Sequence, residues 1–336
     1  MNKRNAILFL VVLYVLIGSA AGLRAADEVK AVPVAGSLYV VEGLEGGNVA
    51  FLVTAEGVLV VDSGTSPETG KLVMDEIAKK TDQPVKYLIL THYHGDHTFG
   101  LQSFPPSTVI ISQQNTADNM HSLNAPRIQG QLEKRMPEMI AAQGEKVAQL
   151  RKKKGKDLKQ EEERLKELEA GLAQLRELRF VYPAITFQTK LTVFLGGQEV
   201  EVIAPGRAHT DGDALVLFHG LKAAHMGDLF FNGSLPYIGA EAGADTANWL
   251  ATLQRASGWD IEKFIPGHGP VSDKEGLQRM AAYLADLRQA VQTAIAAGQT
   301  LEQAKKMAPL SAWKDLKWQE MFPQNVEAVY NELSRK

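Results

Sequence analysis

The fold of this chain is decided by a short apolar run that ends in a histidine-rich turn, VKYLIL at 85–90 and THYHGDH at 91–97. The run predicts a buried strand. In extended chain, residues i and i+2 point to one face about 7 Å apart, so His92 and His94 can bind one metal ion from a strand end. Gly95 permits a sharp turn, which places Asp96 and His97 on a second side of the same pocket. Four such side chains within six residues predict a metal site.

Three further candidate ligands stand in separate glycine-containing loops. His209 lies within GRAHTDGD, Asp228 ends the segment HMGD, and His268 lies within PGHGP. Each is close to the end of a predicted strand, and loops that a rigid sheet holds in place are where binding sites are built. Together with the histidine-rich turn, these residues predict a site for two metal ions.

The rest of the chain alternates between strand and helix patterns. Short β-branched runs predict strands at 38–41, 48–53, 58–62, 85–90, 108–111, 191–194, 200–204, 215–218 and 223–226. Helical periodicity predicts helices at about 67–80, 246–257 and 274–297. Strands first and mixed β/α units later indicate two sheets with helices outside them.

Residues 131–179 have a different composition, dense in lysine, arginine and glutamate. Their leucines fall at helical heptad spacing, at Leu158, Leu165, Leu168, Leu172 and Leu175. The basic run RKKKGK separates this stripe from a shorter one. The pattern predicts an inserted antiparallel helical hairpin with the basic run at its tip. The hairpin is either a solvated arm with an ordinary seam or a lid, partner-binding or membrane-surface arm.

The first 26 residues are typical of a secretory signal peptide. Lys3 and Arg4 precede an unbroken apolar run at 6–17 and small residues at 18–22. An uncleaved anchor is the alternative, because no charge occurs between Arg4 and Arg24. With cleavage, we expect a periplasmic or secreted protein that keeps no stable membrane anchor.

The mature chain divides into a main domain, residues 27–290, and a C-terminal helical extension, residues 291–336. Proline breaks the extension into two short helices, and its aromatic anchors are Trp313, Trp318, Phe322 and Tyr330. We favour packing of the extension on the main domain or in a homo-oligomer. The alternative is that the extension forms a wall of the substrate pocket.

Composition excludes several classes of function. The 336-residue chain has no cysteine, which rules out disulfides, thiolate ligands, iron–sulfur clusters and a cysteine nucleophile. The formal net charge is −3, and loss of residues 1–26, with three basic and no acidic residues, makes it −6. No global basic excess therefore attracts nucleic acid or anionic lipid, and we expect a small-molecule substrate rather than nucleic acid.

The motif order resembles the metallo-β-lactamase-fold hydrolase superfamily. This order is His-x-His-x-Asp-His, then His209, then Asp228, then Gly-His-Gly around His268. The resemblance extends from about Val34 to Leu287 and covers five separated motifs. It implies an α/β fold, a four-layer αββα sandwich, with two Zn²⁺ ions at the edge of the sheets.

The resemblance also implies a role for each candidate. The ligands divide between two zinc ions: His92, His94 and His209 for the first, Asp96, His97 and His268 for the second, and Asp228 for both. Asp62 matches the first motif of the family, a carboxylate that orients a ligand histidine; an aspartate that starts a turn is the alternative. Asp96 would also accept a hydrogen bond from the attacking water and pass on its proton.

The ligand set departs from that of the class B lactamases that the chain most resembles, which carry cysteine where Asp228 stands. An oxygen bridge is the pattern of lactonases, glyoxalase II-like thioesterases and lactamase-related secreted hydrolases, and the stretch GDLFFNGSLPYI at 227–238 resembles the last group. We therefore expect a binuclear zinc hydrolase that attacks the carbonyl group of an ester, lactone, thioester or amide, with β-lactams among the candidates.

Three alternatives stay open. An iron-dependent oxidoreductase on the same fold, such as a persulfide dioxygenase, is one, because imidazole and carboxylate ligands do not exclude iron. A zinc-dependent phosphodiesterase is the second. A non-enzymatic binding protein that uses the charged hairpin is the third.

Side chains near the ligands are candidates for substrate contacts. Asn232, Tyr237 and Trp249 can line the groove, although Asn232-Gly233 is also a turn dipeptide. Tyr93 should point away from the metal because side chains alternate along a strand. The other histidines have expected roles on the surface, in turns or in the core: His121, His219 and His225.

Overall fold

The computed structural model describes residues 28–239 and 241–335. The predicted signal peptide, residues 1–26, lies outside the described residues. Among the helices that are described, none combines the length and the apolar character needed to cross a bilayer.

The first sheet has seven strands that neighbour one another in chain order. They are β1 (Lys30–Ala35), β2 (Leu38–Glu42), β3 (Val49–Thr54), β4 (Gly57–Val61), β5 (Val85–Ile89), β6 (Val109–Gln113) and β7 (Ile185–Phe187). β1 to β4 pair antiparallel, and β4 to β7 pair in parallel. The sequence pattern did not predict β7, because three residues are too few to show a periodicity.

The second sheet has five strands in the order β12-β11-β10-β9-β8. They are β8 (Lys190–Leu195), β9 (Gln198–Ile203), β10 (Leu215–Phe218), β11 (Ala223–His225) and β12 (Lys263–Ile265). All neighbours pair antiparallel except β11 and β12, which are parallel.

The three helices whose bounds were predicted outside the hairpin, at 67–80, 246–257 and 274–297, are present within two residues of those bounds, and several short helices were not predicted. The α-helices are α1 (Pro67–Ala78), α2 (Gly95–Thr98), α3 (Gln114–Asn119), α4 (Ala125–Gly130), α5 (Met136–Lys153), α6 (Leu158–Glu177), α7 (Thr246–Ser257), α8 (Lys274–Ala296), α9 (Leu301–Ala304) and α10 (Phe322–Ser334). α1 begins at a capping box, in which the Ser66 hydroxyl accepts from Thr69 N at 3.2 Å and the Thr69 hydroxyl accepts from Ser66 N at 2.8 Å.

The two sheets pack face to face with helices on their outer sides, which confirms the predicted αββα sandwich. β4 illustrates the arrangement because its side chains alternate. Leu59 and Val61 belong to the core between the sheets, whereas Val58 and Val60 belong to the layer that contains α1. A strand covered on both faces is apolar throughout, as β4 is.

A helical insertion joins β6 to β7. α3, α4 and α5 follow one another through π-helical turns at 120–124 and 131–135, and α6 returns along α5 after a turn at 154–157. The predicted hairpin is present, but the helical segment already begins at residue 114. The seam of the hairpin is formed by Leu168, Leu172 and Leu175. These leucines pack in one cluster with Ile128 and with Phe99, and Phe99 closely follows the histidine-rich turn in the sequence.

The C-terminal extension packs on the second sheet. α8 runs unbroken through residue 290, the position at which the sequence analysis ends the main domain. Val326 and Val329 of α10 belong to the same core as α7 and α8. The segment between α9 and α10 is hydrogen-bonded to the loop after Asp228, since Lys317 N donates to Gly233 O at 3.0 Å and Leu235 N donates to Lys317 O at 2.9 Å.

Candidate metal centre

The seven predicted ligands converge at one edge of the sandwich. The histidine-rich turn follows β5 of the first sheet, while His209 precedes β10, Asp228 follows β11 and His268 follows β12 of the second sheet. The ends of β5, β11 and β12 therefore supply the site from both sheets. Ligands that are far apart in sequence meet because the loops after these strands come together at one edge of the sandwich.

A first donor set consists of His92, His94, His209 and Asp228, whose donor atoms all lie within 4.8 Å of one another. His94 Nδ1 lies 2.9 Å from His92 Nε2 and 3.0 Å from His209 Nε2. Asp228 Oδ2 lies 3.7 Å from His92 Nε2 and 3.5 Å from His209 Nε2. Three imidazole nitrogens and one carboxylate oxygen are suitable donors for a divalent transition-metal ion.

A second donor set lies beside the first and consists of Asp96, His97 and His268. Asp96 Oδ2 lies 3.4 Å from His97 Nε2 and 3.1 Å from His268 Nε2. Asp228 Oδ1 lies 3.1 Å from His97 Nε2 and 3.5 Å from His268 Nε2. The two oxygens of Asp228 thus face different donor sets, which is the arrangement of a bridging carboxylate.

Two buried atoms at the centre test whether the residues fit a metal. His97 Nε2 and Asp228 Oδ1 are buried and have no hydrogen-bond partner. Such atoms are rare in folded proteins, because leaving them unpaired is costly. A cation between the donor sets would pair both atoms, so the residues fit a divalent metal ion. Imidazole and carboxylate donors are compatible with zinc, iron and manganese.

The ionised carboxylates of Asp96 and Asp228 make the pocket electronegative. Burial lowers the pKa of His94 to about 4 and that of His209 to about 3, so both rings are neutral at pH 7 and offer a lone pair. Burial opposes ionisation of Asp228, but the surrounding imidazoles, His268 first, hold the pKa of its carboxyl well below the usual range. Burial likewise opposes protonation of His268, but Asp228 and Asp96 raise its pKa to about 9.

Hydrogen bonds behind the donor sets fix which ring nitrogen faces the centre. Asp62 Oδ2 lies 2.8 Å from His97 Nδ1 and accepts from the Thr91 hydroxyl at 2.8 Å. Because that hydroxyl donates its one hydrogen to Asp62, it accepts from His92 Nδ1 at 3.0 Å. His209 Nδ1 donates to Tyr237 O at 3.1 Å. In all three rings Nδ1 has a partner behind the donor sets, so Nε2 is the nitrogen that points to them.

Asp62 is placed for this task by an uncommon backbone conformation. It directly follows β4, is fully buried and has a φ of 65°. Its second oxygen, Oδ1, accepts from Thr91 N at 2.8 Å. The buried carboxylate therefore does more than start a turn, since it joins the strand end to His97.

Two glycines allow the backbone to approach the ligands closely. A Cβ on Gly47 would lie 2.2 Å from His97 Cε1, and a Cβ on Gly267 would lie 1.9 Å from Asp228 Oδ1. Any side chain at either position would displace the ligand.

The predicted groove residues have different surroundings. The Tyr237 ring lies 5.7 Å from that of His94, and its hydroxyl donates to Glu241 Oε1 at 2.9 Å. Asn232 donates its side-chain amide to Pro270 O at 2.9 Å and its backbone N–H to His268 O at 2.8 Å, so it ties two ligand loops together. The prediction for Trp249 was wrong, because this side chain is fully buried and donates to Leu229 O from behind His209.

Two aromatic residues beside His268 were not predicted as site residues. The Phe231 ring stacks on His268 with 5.1 Å between ring centroids, and the Trp318 ring lies 5.4 Å from His268 at 73°. We expected Trp318 to be an anchor of the extension packed on the main domain. The extension does pack there, and it also brings Trp318 to the metal centre. No local pattern signals this contact, which joins segments 50 residues apart.

The remaining aromatic and histidine residues lie where alternation and burial place them. Tyr93 is fully buried, and its ring lies 4.5 Å from that of His94. His121 is exposed and stacks on Tyr182, His219 is an exposed partner of Glu201, and His225 is a core residue that accepts from Gly227 N at 3.2 Å. The donor sets include none of these three histidines.

A family model described as the metallo-beta-lactamase superfamily matches residues 43–268. The chain therefore belongs to the metallo-beta-lactamase superfamily, as the motif order indicated.

Relatives within the superfamily have different activities. A linear primary-alkylsulfatase of Pseudomonas sp. (strain ATCC 19151) is 24% identical over 239 residues, which cover 67% of this chain and 42% of that protein. A metallo-beta-lactamase type 2 of Elizabethkingia meningoseptica is 22% identical over 245 residues, or 72% of this chain and 76% of that protein. The chain thus spans less than half the length of the alkylsulfatase that it matches.

Solved structures show the same fold. The stereoselective inverting sec-alkylsulfatase Pisa1 from Pseudomonas sp. superposes with a TM-score of 0.65 at 16% identity, covering 94% of this chain and 52% of that chain. A metallo-beta-lactamase from Pontibacter korlensis gives a TM-score of 0.55 at 19% identity, covering 77% of this chain and 99% of that chain. Identities this low support the fold and leave the substrate open.

Proposed function

We propose that this protein is a binuclear zinc hydrolase that cleaves a carbonyl compound, namely an ester, lactone, thioester or amide. The observation that carries the proposal is Asp228, whose two oxygens face two separate donor sets. This carboxylate lies between two groups of imidazoles, and its Oδ1 and the neighbouring His97 Nε2 are both buried without a hydrogen-bond partner, which suits a pair of divalent cations.

Zinc ions held by these residues would supply Lewis-acid activation of the carbonyl group and of water near neutral pH. His92, His94 and His209 would hold the first ion, and hydrogen bonds at Nδ1 orient His92 and His209. The side chains of Asp96 and His268 are 14% and 13% exposed, against 4% for Asp228. Substrate would therefore approach on the Asp96 side, where this carboxylate accepts a proton from the attacking water.

A second candidate is hydrolysis of a sulfate ester. The sec-alkylsulfatase structure covers 94% of this chain, whereas the Pontibacter lactamase structure covers 77%. The wider coverage favours alkyl sulfates over β-lactams as the second substrate to try. Iron-dependent oxidation and phosphodiester cleavage have no comparable support.

The test is a substrate panel with the zinc-loaded protein: a β-lactam, a lactone, a thioester, a primary alkyl sulfate and a phosphodiester. We expect turnover of at least one carbonyl substrate, loss of turnover in EDTA and recovery with added zinc. His94→Ala should abolish turnover, and Asp260→Ala, which removes an 86% exposed carboxylate paired with Lys222, should retain it.

Two results would contradict the proposal. The first is turnover that persists after chelation. The second is turnover of the phosphodiester alone. Turnover of the alkyl sulfate without any carbonyl substrate would select the second candidate, and iron in the purified protein with no hydrolysis would select the oxidoreductase.

A further inference from the structure

Trp318 belongs to a small aromatic group at the second donor set. Its ring lies 5.4 Å from the His268 ring and 6.1 Å from the Phe231 ring, at about a right angle to both. The Phe231 ring also packs on His268, and these two rings are stacked with an interplanar angle of 14°. The aromatic group therefore borders a candidate metal ligand directly.

Trp318 is the exposed member of this group. It is 39% exposed, whereas Phe231 is 3% exposed. The large hydrophobic side chains exposed among the described residues are Leu72, Ile185, Phe194 and Trp318. Of these four, Trp318 has a ring contact with a candidate ligand. An apolar surface beside the more open donor set is placed to meet substrate rather than to fill the core.

The backbone fixes the tryptophan in this position. Trp318 has a φ of 60°, a left-handed conformation that is strained for a bulky residue. Lys317 is bonded on both sides to the loop after Asp228, with Gly233 and Leu235, and Met321 N donates to Trp318 O at 2.9 Å. Strained residues persist where the surroundings over-determine them, and such residues cluster at functional sites.

We propose that Trp318 is a specificity-determining residue that binds the apolar part of the substrate beside His268. The substrate class is then a carbonyl compound with an aliphatic or aromatic group of several carbons, rather than a small polar one. This inference rests on the proposed hydrolase function. It assigns the C-terminal extension, which lies outside the family match at 43–268, to the substrate site.

The test measures binding as well as catalysis. Isothermal titration of the zinc-loaded full chain uses acetate, butyrate, hexanoate and octanoate, whose carboxylate is a zinc ligand and whose tails differ only in length. Each methylene that leaves water contributes up to about fourfold in affinity, and about twofold on a half-covered wall. We expect affinity to rise roughly tenfold or more from butyrate to octanoate.

Variants of Trp318 distinguish the effect of its indole ring from the effect of its backbone conformation. Trp318→Phe should keep most of the rise in affinity from butyrate to octanoate. Trp318→Ala and Trp318→Gly should reduce that rise to about twofold or less. The glycine variant guards against misfolding, since glycine adopts a φ of 60° without strain. Phe194→Ala, which removes a 72% exposed aromatic from β8, is the matched control and should keep the full dependence.

Each outcome bears on one claim. Equal tail dependence in wild type and Trp318→Gly, or no binding of octanoate to wild type, overturns the assignment of Trp318. Tail-dependent binding that disappears in Trp318→Gly, with no hydrolysis of any ester, lactone, thioester or amide by the wild type, supports the assignment and overturns the hydrolase function. Hydrolysis of acetyl and octanoyl esters at an unchanged ratio in Trp318→Gly overturns the assignment and leaves the hydrolase function standing.

Discussion

Asp228 is the residue at which the two donor sets meet. Its oxygens lie 3.1 Å from His97 Nε2 on one side and 3.5 Å from His209 Nε2 on the other. Asp62 does not belong to either donor set, and its contact is with His97 Nδ1, the ring nitrogen that faces away from them. These two aspartates therefore have separable effects on bound metal.

Asp228→Ala should remove most of the bound zinc, because the change takes an oxygen donor from both donor sets. Elemental analysis after dialysis against a fixed free zinc concentration measures this. The control is Asp260→Ala, whose zinc content should match that of the wild type. Two zinc ions per chain in Asp228→Ala would show that Asp228 is not a bridging ligand.

Asp62→Ala should weaken zinc binding about 10- to 100-fold, the usual effect of losing a carboxylate that orients a ligand histidine. Competition with a fluorescent chelator gives the affinity. Glu76→Gln is a matched control, since Glu76 is another buried carboxyl, bonded to Ala31 N at 2.8 Å and placed in α1. An unchanged affinity in Asp62→Ala would leave Asp62 as a turn residue only.

His225 predicts a pH dependence of stability. Burial lowers the pKa of this ring to about 4, below the value of about 6.5 in the unfolded chain. The stability it contributes is therefore present above pH 6.5 and is lost as the pH falls toward 4. Urea unfolding in EDTA should show that the wild type loses about 2 kcal/mol more than His225→Asn between pH 7.5 and pH 5.0. Equal losses of unfolding free energy in the wild type and in His225→Asn would contradict a His225 ring that is buried and neutral.

At the scale of elements, most strands and the long helices were predictable, and so was the convergence of the ligands, but the positions of the aromatic side chains around them were not. β5 and the histidine-rich turn follow from apolar runs and ligand spacing, which are local. Trp249 has the aromatic character of a groove residue, but only the packing of α7 shows that it is buried behind His209. Trp318 reaches the site through bonds between Lys317 and the loop after Asp228, and no periodicity reports such bonds.

The hairpin of α5 and α6 should be destabilised by mutation without a loss of metal binding. Leu168 is 3% exposed in its seam, so Leu168→Ala should cost about 2–5 kcal/mol there. Hydrogen exchange should quicken in α5 and α6 while zinc content stays at the wild-type level, because the histidine-rich turn is also held by Asp62. Lys166→Ala, on the exposed face of α6, should change neither quantity. A loss of zinc in Leu168→Ala would show that the cluster formed by the seam and Phe99 supports the ligands.

At the scale of the whole molecule, the two sheets explain why the site forms. Each sheet brings strand ends to one edge, and the sandwich places the two edges together, so ligands from residue 92 to residue 268 share one pocket. The order of those ligands in the sequence was enough to predict the family and the αββα fold. The substrate was not predictable, because related proteins with this fold include alkylsulfatases and lactamases and the surrounding loops determine what binds.

Anomalous X-ray scattering at the zinc edge, from crystals of the zinc-loaded protein, would locate the metal ions relative to the seven ligands. We predict two peaks on either side of the Asp228 carboxylate, one among His92, His94 and His209 and one among Asp96, His97 and His268. A single peak away from these residues, or no peak with zinc in excess, would contradict the account.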